Sequence, residues 1–397
     1  MAARRRRARR CDRTINEYFS MGTFRSDRNA SWRREEKNLS VPSEDTSPLR
    51  HARRRLQSDM VDARDAAVGA IVAAAGGLAV GLAKLASSGW LVSVPAFGMK
   101  GWQILSVGAF ALNVASVGVP GRVDGEMAEE AKRAMAAKKA AKKAPSEAET
   151  REPAGIPRAH WSRGLVSPAG WAFAIWGPIF GLESAFAAMV GNPKLSSSNP
   201  AAAAVFGVVA PYWCAACGLQ ALWCAAFRPW ARKPRHFWLP GALLAAEAVA
   251  LGGAHRAMVL VSGLPGNALT KNAYLCGHLP IAMHFGWITA AFVVSANSFA
   301  AVAAWPKQTR VSLAFKSTWL AAAAAAYVSA TSNDPVPSFV VAWALAAVAS
   351  DGGESDAGEI NKEALRSLAG AAATAAKLLA AFALALTAKN ATNAIFA

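Results

Sequence analysis

Ser167-Pro-Ala-Gly-Trp-Ala-Phe-Ala-Ile-Trp-Gly-Pro-Ile-Phe-Gly-Leu-Glu183 is the stretch on which the reading of this chain turns. Ser-Pro-Ala-Gly predicts a sharp turn at its start. An apolar run follows to about Val190, interrupted by a single carboxylate, Glu183. A bilayer core of about 30 Å needs about 20 such residues in a helix. Similar runs lie on both sides, and the spacing predicts an all-α polytopic transmembrane bundle. Lipid leaves only helices or closed barrels, and the alanine runs and their lengths exclude a barrel.

Composition agrees. The 397 residues are 54% hydrophobic and only 17% charged, against about 25% charged in a typical soluble domain. The charges crowd into 1–65 and 119–167. The net charge of +18 fits an anionic membrane surface, because Lys and Arg flank apolar spans. No nucleic acid is expected as partner, since no motif that reads DNA or RNA is present. The five cysteines do not suggest a disulfide framework. Cys214-Ala-Ala-Cys217 sits inside an apolar run and reads as small residues at a helix interface.

The expected organisation follows the charge. Residues 1–65 form a basic, disordered N-terminal region; Arg4–Arg7 read as a nuclear-type patch or part of a targeting segment, though nearby acids argue against a clean transit peptide. Residues 66–96 hold a further Ala/Gly-rich membrane helix, 66–86, and a connector; this helix either spans or lies against the bundle. Residues 97–350 are a tryptophan-rich bundle interrupted by a charged linker, 120–166, in which 128–144 is rich in helix formers. Residues 351–397 are an acidic loop and a C-terminal helix. The spans are 97–119, 168–190, 201–227, 237–257, 279–304, 313–330, 335–350 and 365–387: eight, and a ninth if 66–86 crosses. The two short ones, 313–330 and 335–350, read as a tight hairpin. The basic loops 120–166, 228–236 and 305–312 fall on one face, which the positive-inside rule makes cytoplasmic or stromal. The loops 191–200, 258–278 and 331–336 fall on the other. The organelle is left open, plastid and mitochondrion included.

Several polar groups lie inside these spans. At 100° per residue, Phe173, Trp176, Phe180 and Glu183 share a face, with Trp171 off it. Glu247 is mid-span in 237–257. His284 lies near the start of 279–304, one turn before Trp287. Trp213, Cys217, Gln220 and Cys224 align on one face of 201–227. An ionisable group at mid-bilayer costs several kcal/mol, about 3 or more, unless it faces protein or water. Glu183 and Glu247 are therefore expected to face inward, as a ligand or proton site or as helix glue. His284 reads as a haem or chlorin ligand or as a hydrogen-bonded packing residue, and Gln220 as an interhelical hydrogen bond.

The stretch Pro168-Ala-Gly-Trp-Ala-Phe-Ala-Ile-Trp-Gly-Pro-Ile-Phe180 resembles the motif that opens the second helix of the tryptophan-rich sensory protein, or translocator-protein (TspO/MBR), family and its longer relatives. Leu112-Asn-Val-Ala115, Gln220-Ala-Leu-Trp-Cys-Ala-Ala-Phe227, Pro280–Ala291 with Gly286-Trp-Ile288, and Ser338–Leu345 echo the family's first, third and fifth helices and its extra helix. Gln220 and Ser295 stand where the family has Asn, Asn297 follows two residues later, and Pro168-Ala169 replaces a Pro-Pro pair. The resemblance covers about 97–350. It implies a five-helix core with extra C-terminal helices, and a tryptophan-lined pocket for a hydrophobic small molecule, with a porphyrin or other tetrapyrrole as the ligand class. On this basis Phe173, Trp176, Trp213, Gln220 and Trp287 line the site and Glu183 anchors the ligand; no metal or catalytic set is expected, and the chain does not read as an enzyme. Glu183, Glu247 and His284 are the candidate proton or polar relay of a rival reading, a proton-coupled secondary transporter. The lipid bilayer is a partner, and a homodimer is left open.

Overall fold

The computed structural model describes residues 48–93, 96–120, 122, 164–232, 234–351 and 360–396. The expectations for the Arg-rich leader up to 47, for the linker helix at 128–144 and for most of the acidic loop after 351 fall outside them. Among the described residues the secondary structure is helical, and Ala96 and Met99 form only an isolated bridge. The long helices are α1 Pro48–Ser87, α2 Gly101–Gly118, α3 Trp176–Val190, α4 Pro200–Ala226, α5 Pro234–Ser262, α6 Leu279–Val302, α7 Lys307–Ser332, α8 Val336–Asp351 and α9 Lys362–Phe396. Among the described residues, 8 helices are long and apolar enough to cross a membrane, with Val336–Ser350 a shorter apolar helix. The protein is a polytopic helical membrane protein.

Contacts divide the chain into Met1–Ala67 and Val68–Ala397. That division lies two residues from the boundary expected between 65 and 66, and α1 extends from Pro48 to Ser87. From 49 to 68 it has no Gly or Pro and is rich in Leu, Arg, Gln, Met and Ala, which favour the helix. The apolar part, Ala63–Ser87, is 25 residues long and long enough to span. From Val68 onward, Ile71, Ala75 and Leu78 pack on Leu219 and Leu222 of α4 and on Leu239 and Leu243 of α5.

Besides this packing of α1, two larger hydrophobic cores meet along α8, with α6 also contributing to both. The first gathers α2 to α6 around Trp102, Ile179, Phe186, Phe206, Trp213, Leu251 and Ile288. The second gathers α7 and α9 around Ala321, Ala325, Leu368, Ala375 and Leu379, with Leu165 and Val166 from the segment before α3. Helix α8 serves both: Val340, Ala344 and Ala347 face the first core, and Val341, Leu345 and Val348 the second. These are adjacent stripes at helical spacing. So the expected five-helix core is α2–α6, and α7–α9 are the added helices.

Three of the differences from the expected span boundaries have a local cause. Helix α7 begins at Lys307 and has 26 residues, so it is not short; Lys307, Gln308, Arg310 and Lys316 at its polar start lower the local hydropathy without interrupting the helix. It does turn tightly into α8 through Asn333, which is left-handed at φ 53, a conformation Asn tolerates. The sixth span begins at Lys271 rather than 279. There Thr270 caps the chain by accepting from the Ala273 N–H, and a π turn, Tyr274–His278, leads into α6. The third span opens with a 3-10 segment, Gly170–Ile175, before α3. Pro178 lies in the first turn of α3, where its missing N–H is least costly.

Candidate functional site

Helices α3, α5 and α6 bring Glu183, Glu247 and His284 into direct contact. His284 Nδ1 donates to Glu183 Oε1 at 2.8 Å. On its other side Nε2 faces Glu247 Oε1 at 3.3 Å, an ion-pair distance without the alignment of a good hydrogen bond. The three side chains are 0%, 0% and 1% exposed. Trp213 on α4 adds a long contact, Nε1 to Glu183 Oε1, at 3.5 Å. Glu183 Oε2 and both Glu247 oxygens are buried without a hydrogen-bond partner. Buried polar atoms are paired in more than about 90% of cases, so three orphaned carboxylate oxygens in one apolar interior mark a site.

An aromatic wall adjoins this cluster. Trp176 stacks on Phe180 at 5.2 Å between ring centroids. It meets His284 edge-on at 5.4 Å and Trp287 at 6.2 Å. Phe173 meets Trp287 at 5.5 Å and is itself exposed on the bundle's outer surface. Trp176 therefore touches the polar cluster and, through the buried Trp287, is linked to the exposed Phe173. Phe173 lies on the 3-10 turn, which presents its ring to Trp287. Trp171 lies off the wall as expected, edge-on to Trp343 of α8 at 4.7 Å.

A model of the family described as TSPO-like protein matches residues 159–385, more than half of the chain. The chain belongs to the TSPO-like family. The match takes in α3–α8 and much of α9 but not α2, so it starts later and ends later than the 97–350 expected. No curated protein and no solved structure matches the chain. In this TSPO-like chain the sequence-selected residues divide into three places. Phe173, Trp176, Glu183, Trp287, Glu247 and His284 form the wall and cluster. Trp213 lies behind Glu183, packed on Phe186 at 4.8 Å and Phe110 at 5.8 Å. Gln220 lies further along α4, where its Oε1 accepts from Asn113 Nδ2 at 2.9 Å and ties α4 to α2. That is the interhelical hydrogen bond foreseen for it, and it joins two of the motif echoes. Asn297, two residues beyond the family's position, donates to Ser317 Oγ at 2.9 Å and links α6 to α7. His284 is hydrogen-bonded to Glu183 through Nδ1, and its Nε2 faces the Glu247 carboxylate.

The sequence reading did not single out a second buried cluster. His255 at the end of α5 and His278 in the π turn each place Nε2 2.8 Å from Oδ2 of Asp334, in the turn between α7 and α8. Burial by itself would push the Asp334 carboxyl up; the hydrogen bonds from the two imidazoles outweigh it and hold it well below the usual carboxylate range. One signal was available: the loops 258–278 and 331–336 were placed on the same membrane face.

Proposed function

We propose that this TSPO-like membrane protein binds a flat hydrophobic ligand, with tetrapyrroles as the leading class, against the wall of Phe173, Trp176 and Trp287. The observation that carries the reading is the position of Trp176, in contact with both His284 and Trp287, the latter meeting the exposed Phe173. An indole or phenyl face gains about 0.5–1.5 kcal/mol per aromatic pair beyond simple burial, which suits a planar macrocycle arriving laterally from the bilayer. The orphaned oxygens of Glu183 and Glu247 then supply acceptors for ligand N–H or O–H groups, fixing orientation in an otherwise apolar site. Titration of purified protein with a porphyrin panel tests this. Saturable quenching of indole fluorescence supports it. Quenching that only rises linearly, as in protein-free micelles, contradicts it.

A second reading, proton-coupled transport, has its own support in the direct Glu183–His284–Glu247 contact. Two carboxylates and one imidazole are electrically neutral in two arrangements, both carboxyls protonated or one carboxylate beside an imidazolium. Both hold the same number of protons. A proton can therefore shift along the cluster without changing the net charge in the membrane, where uncompensated charge is costly. Ligand flux in liposomes driven by a pH gradient, and lost in Glu183→Gln, would favour transport. Retained binding with no flux favours a sensor or carrier.

A further inference from the structure

We propose that His255, His278 and Asp334 form a binding site for a divalent first-row transition ion, with Zn2+ the best match to the donor set. The three offer two imidazole nitrogens and one carboxylate oxygen, all mutually within 4.8 Å and all buried. Imidazole with carboxylate is a borderline donor set that suits zinc, whereas magnesium and calcium prefer oxygen alone.

The spacing is close to what an ion requires. Ligands about 2.0–2.1 Å from a tetrahedral zinc lie about 3.3 Å from one another. Each imidazole nitrogen here sits 2.8 Å from the carboxylate oxygen, so each N···O pair opens by about 0.5 Å to admit the ion. In the metal-free form both imidazoles donate Nε2–H to Asp334 Oδ2. On binding, each Nε2 presents its lone pair to the ion and the ring proton resides on Nδ1, so no bond to carbon changes and no redox partner is involved. The fourth position belongs to water or to a small ligand, as in three-ligand zinc sites.

The surroundings are those of a built site. Asp334 is held from behind, its Oδ1 accepting the Val336 N–H at 2.9 Å. His278 stacks on Tyr274 at 4.9 Å, and His255 on Phe285 at 5.8 Å. Packing of this kind fixes ligand orientation before the metal arrives. The π turn is what brings His278 inward, and such turns often mark functional positions. The three ligands come from α5, the start of the sixth span and the α7–α8 turn, so an ion would clamp the end of the bundle. It would also fix the helix that carries His284, about 9 Å further along its axis.

The site is separate from the aromatic wall, and its test is independent of any porphyrin. Tag-free full-length protein in detergent is stripped with a chelator, reloaded with Zn2+ or Co2+, desalted and assayed for bound metal. The expected result is one equivalent per chain, the visible absorption of a low-symmetry Co2+ centre, and a higher melting temperature with zinc. Asp334→Asn and His278→Gln are each expected to weaken binding at least tenfold and to abolish the thermal shift. Asp334→Asn keeps a hydrogen-bond acceptor between the histidines, so it reports on the metal even if His278→Gln does not fold. Wild-type protein that retains no metal, or variants that bind it as tightly as wild type, would overturn the site.

Discussion

At the scale of single residues, the account rests on His284 between two glutamates. Removing one member of a buried charge pair leaves the others uncompensated and costs about 3–5 kcal/mol. His284→Ala is therefore expected to destabilise the folded protein by that amount in detergent denaturation, whereas Ser184→Ala, at an exposed position of α3, should change it by less than about 0.5 kcal/mol. Equal stabilities would mean that the cluster is not a coupled unit. The Asn113–Gln220 bond is a smaller case. Asn113→Ala should cost about 1–2 kcal/mol, and pairing it with Gln220→Ala should cost less than the sum of the single changes, because both remove the same bond. Each of Glu183, Glu247 and His284 was legible in the sequence, since an ionisable group stands out in an apolar run. Their meeting was not. Which faces of α3, α5 and α6 turn toward each other is settled by tertiary packing, and periodicity within one helix carries no information about its neighbour. His255 and Asp334 were harder still, because near helix ends polar residues are ordinary.

At the scale of elements, the approach of α6 to α8 decides whether the wall keeps its shape. Gly286 lies where an added Cβ would fall 2.8 Å from Val340 Cβ and 3.2 Å from the Pro337 carbonyl oxygen. Only a residue without a side chain allows that contact, as at many helix crossings in membranes. Gly286→Val is expected to push α8 away, lower stability by about 1–3 kcal/mol, and weaken porphyrin binding through displacement of the neighbouring Trp287. An unchanged melting temperature would show that the helices are free to separate. The same element was counted among the spans, but with 16 residues α8 is shorter than the eight described helices long enough to cross a membrane. It is lined by core on two stripes, and that double burial accounts for its apolar sequence. The starts of the sixth span and of α7 were misjudged, since lysine, asparagine and a π turn conceal a helix from hydropathy.

At the scale of the molecule, helical class, the α2–α6 core and the added C-terminal helices were all readable from apolar runs and one aromatic motif. The meeting of the two larger cores along α8 and α6 was not, because it depends on which stripe of an apolar helix meets which partner. That architecture sets an aromatic wall, running from the exposed Phe173 through the buried Trp287 to the half-buried Trp176, against the buried Glu183–His284–Glu247 cluster. The claim that the wall is a ligand site can be separated from general tryptophan content by comparing two indoles. Trp176 joins the wall to the cluster, while Trp171 stands apart against Trp343. The decisive measurement is a porphyrin titration of wild type, Trp176→Ala and Trp171→Ala under identical detergent conditions. The account predicts at least a tenfold weaker Kd for Trp176→Ala, about 1.4 kcal/mol, and an unchanged Kd for Trp171→Ala. Equal affinities for all three proteins would contradict it.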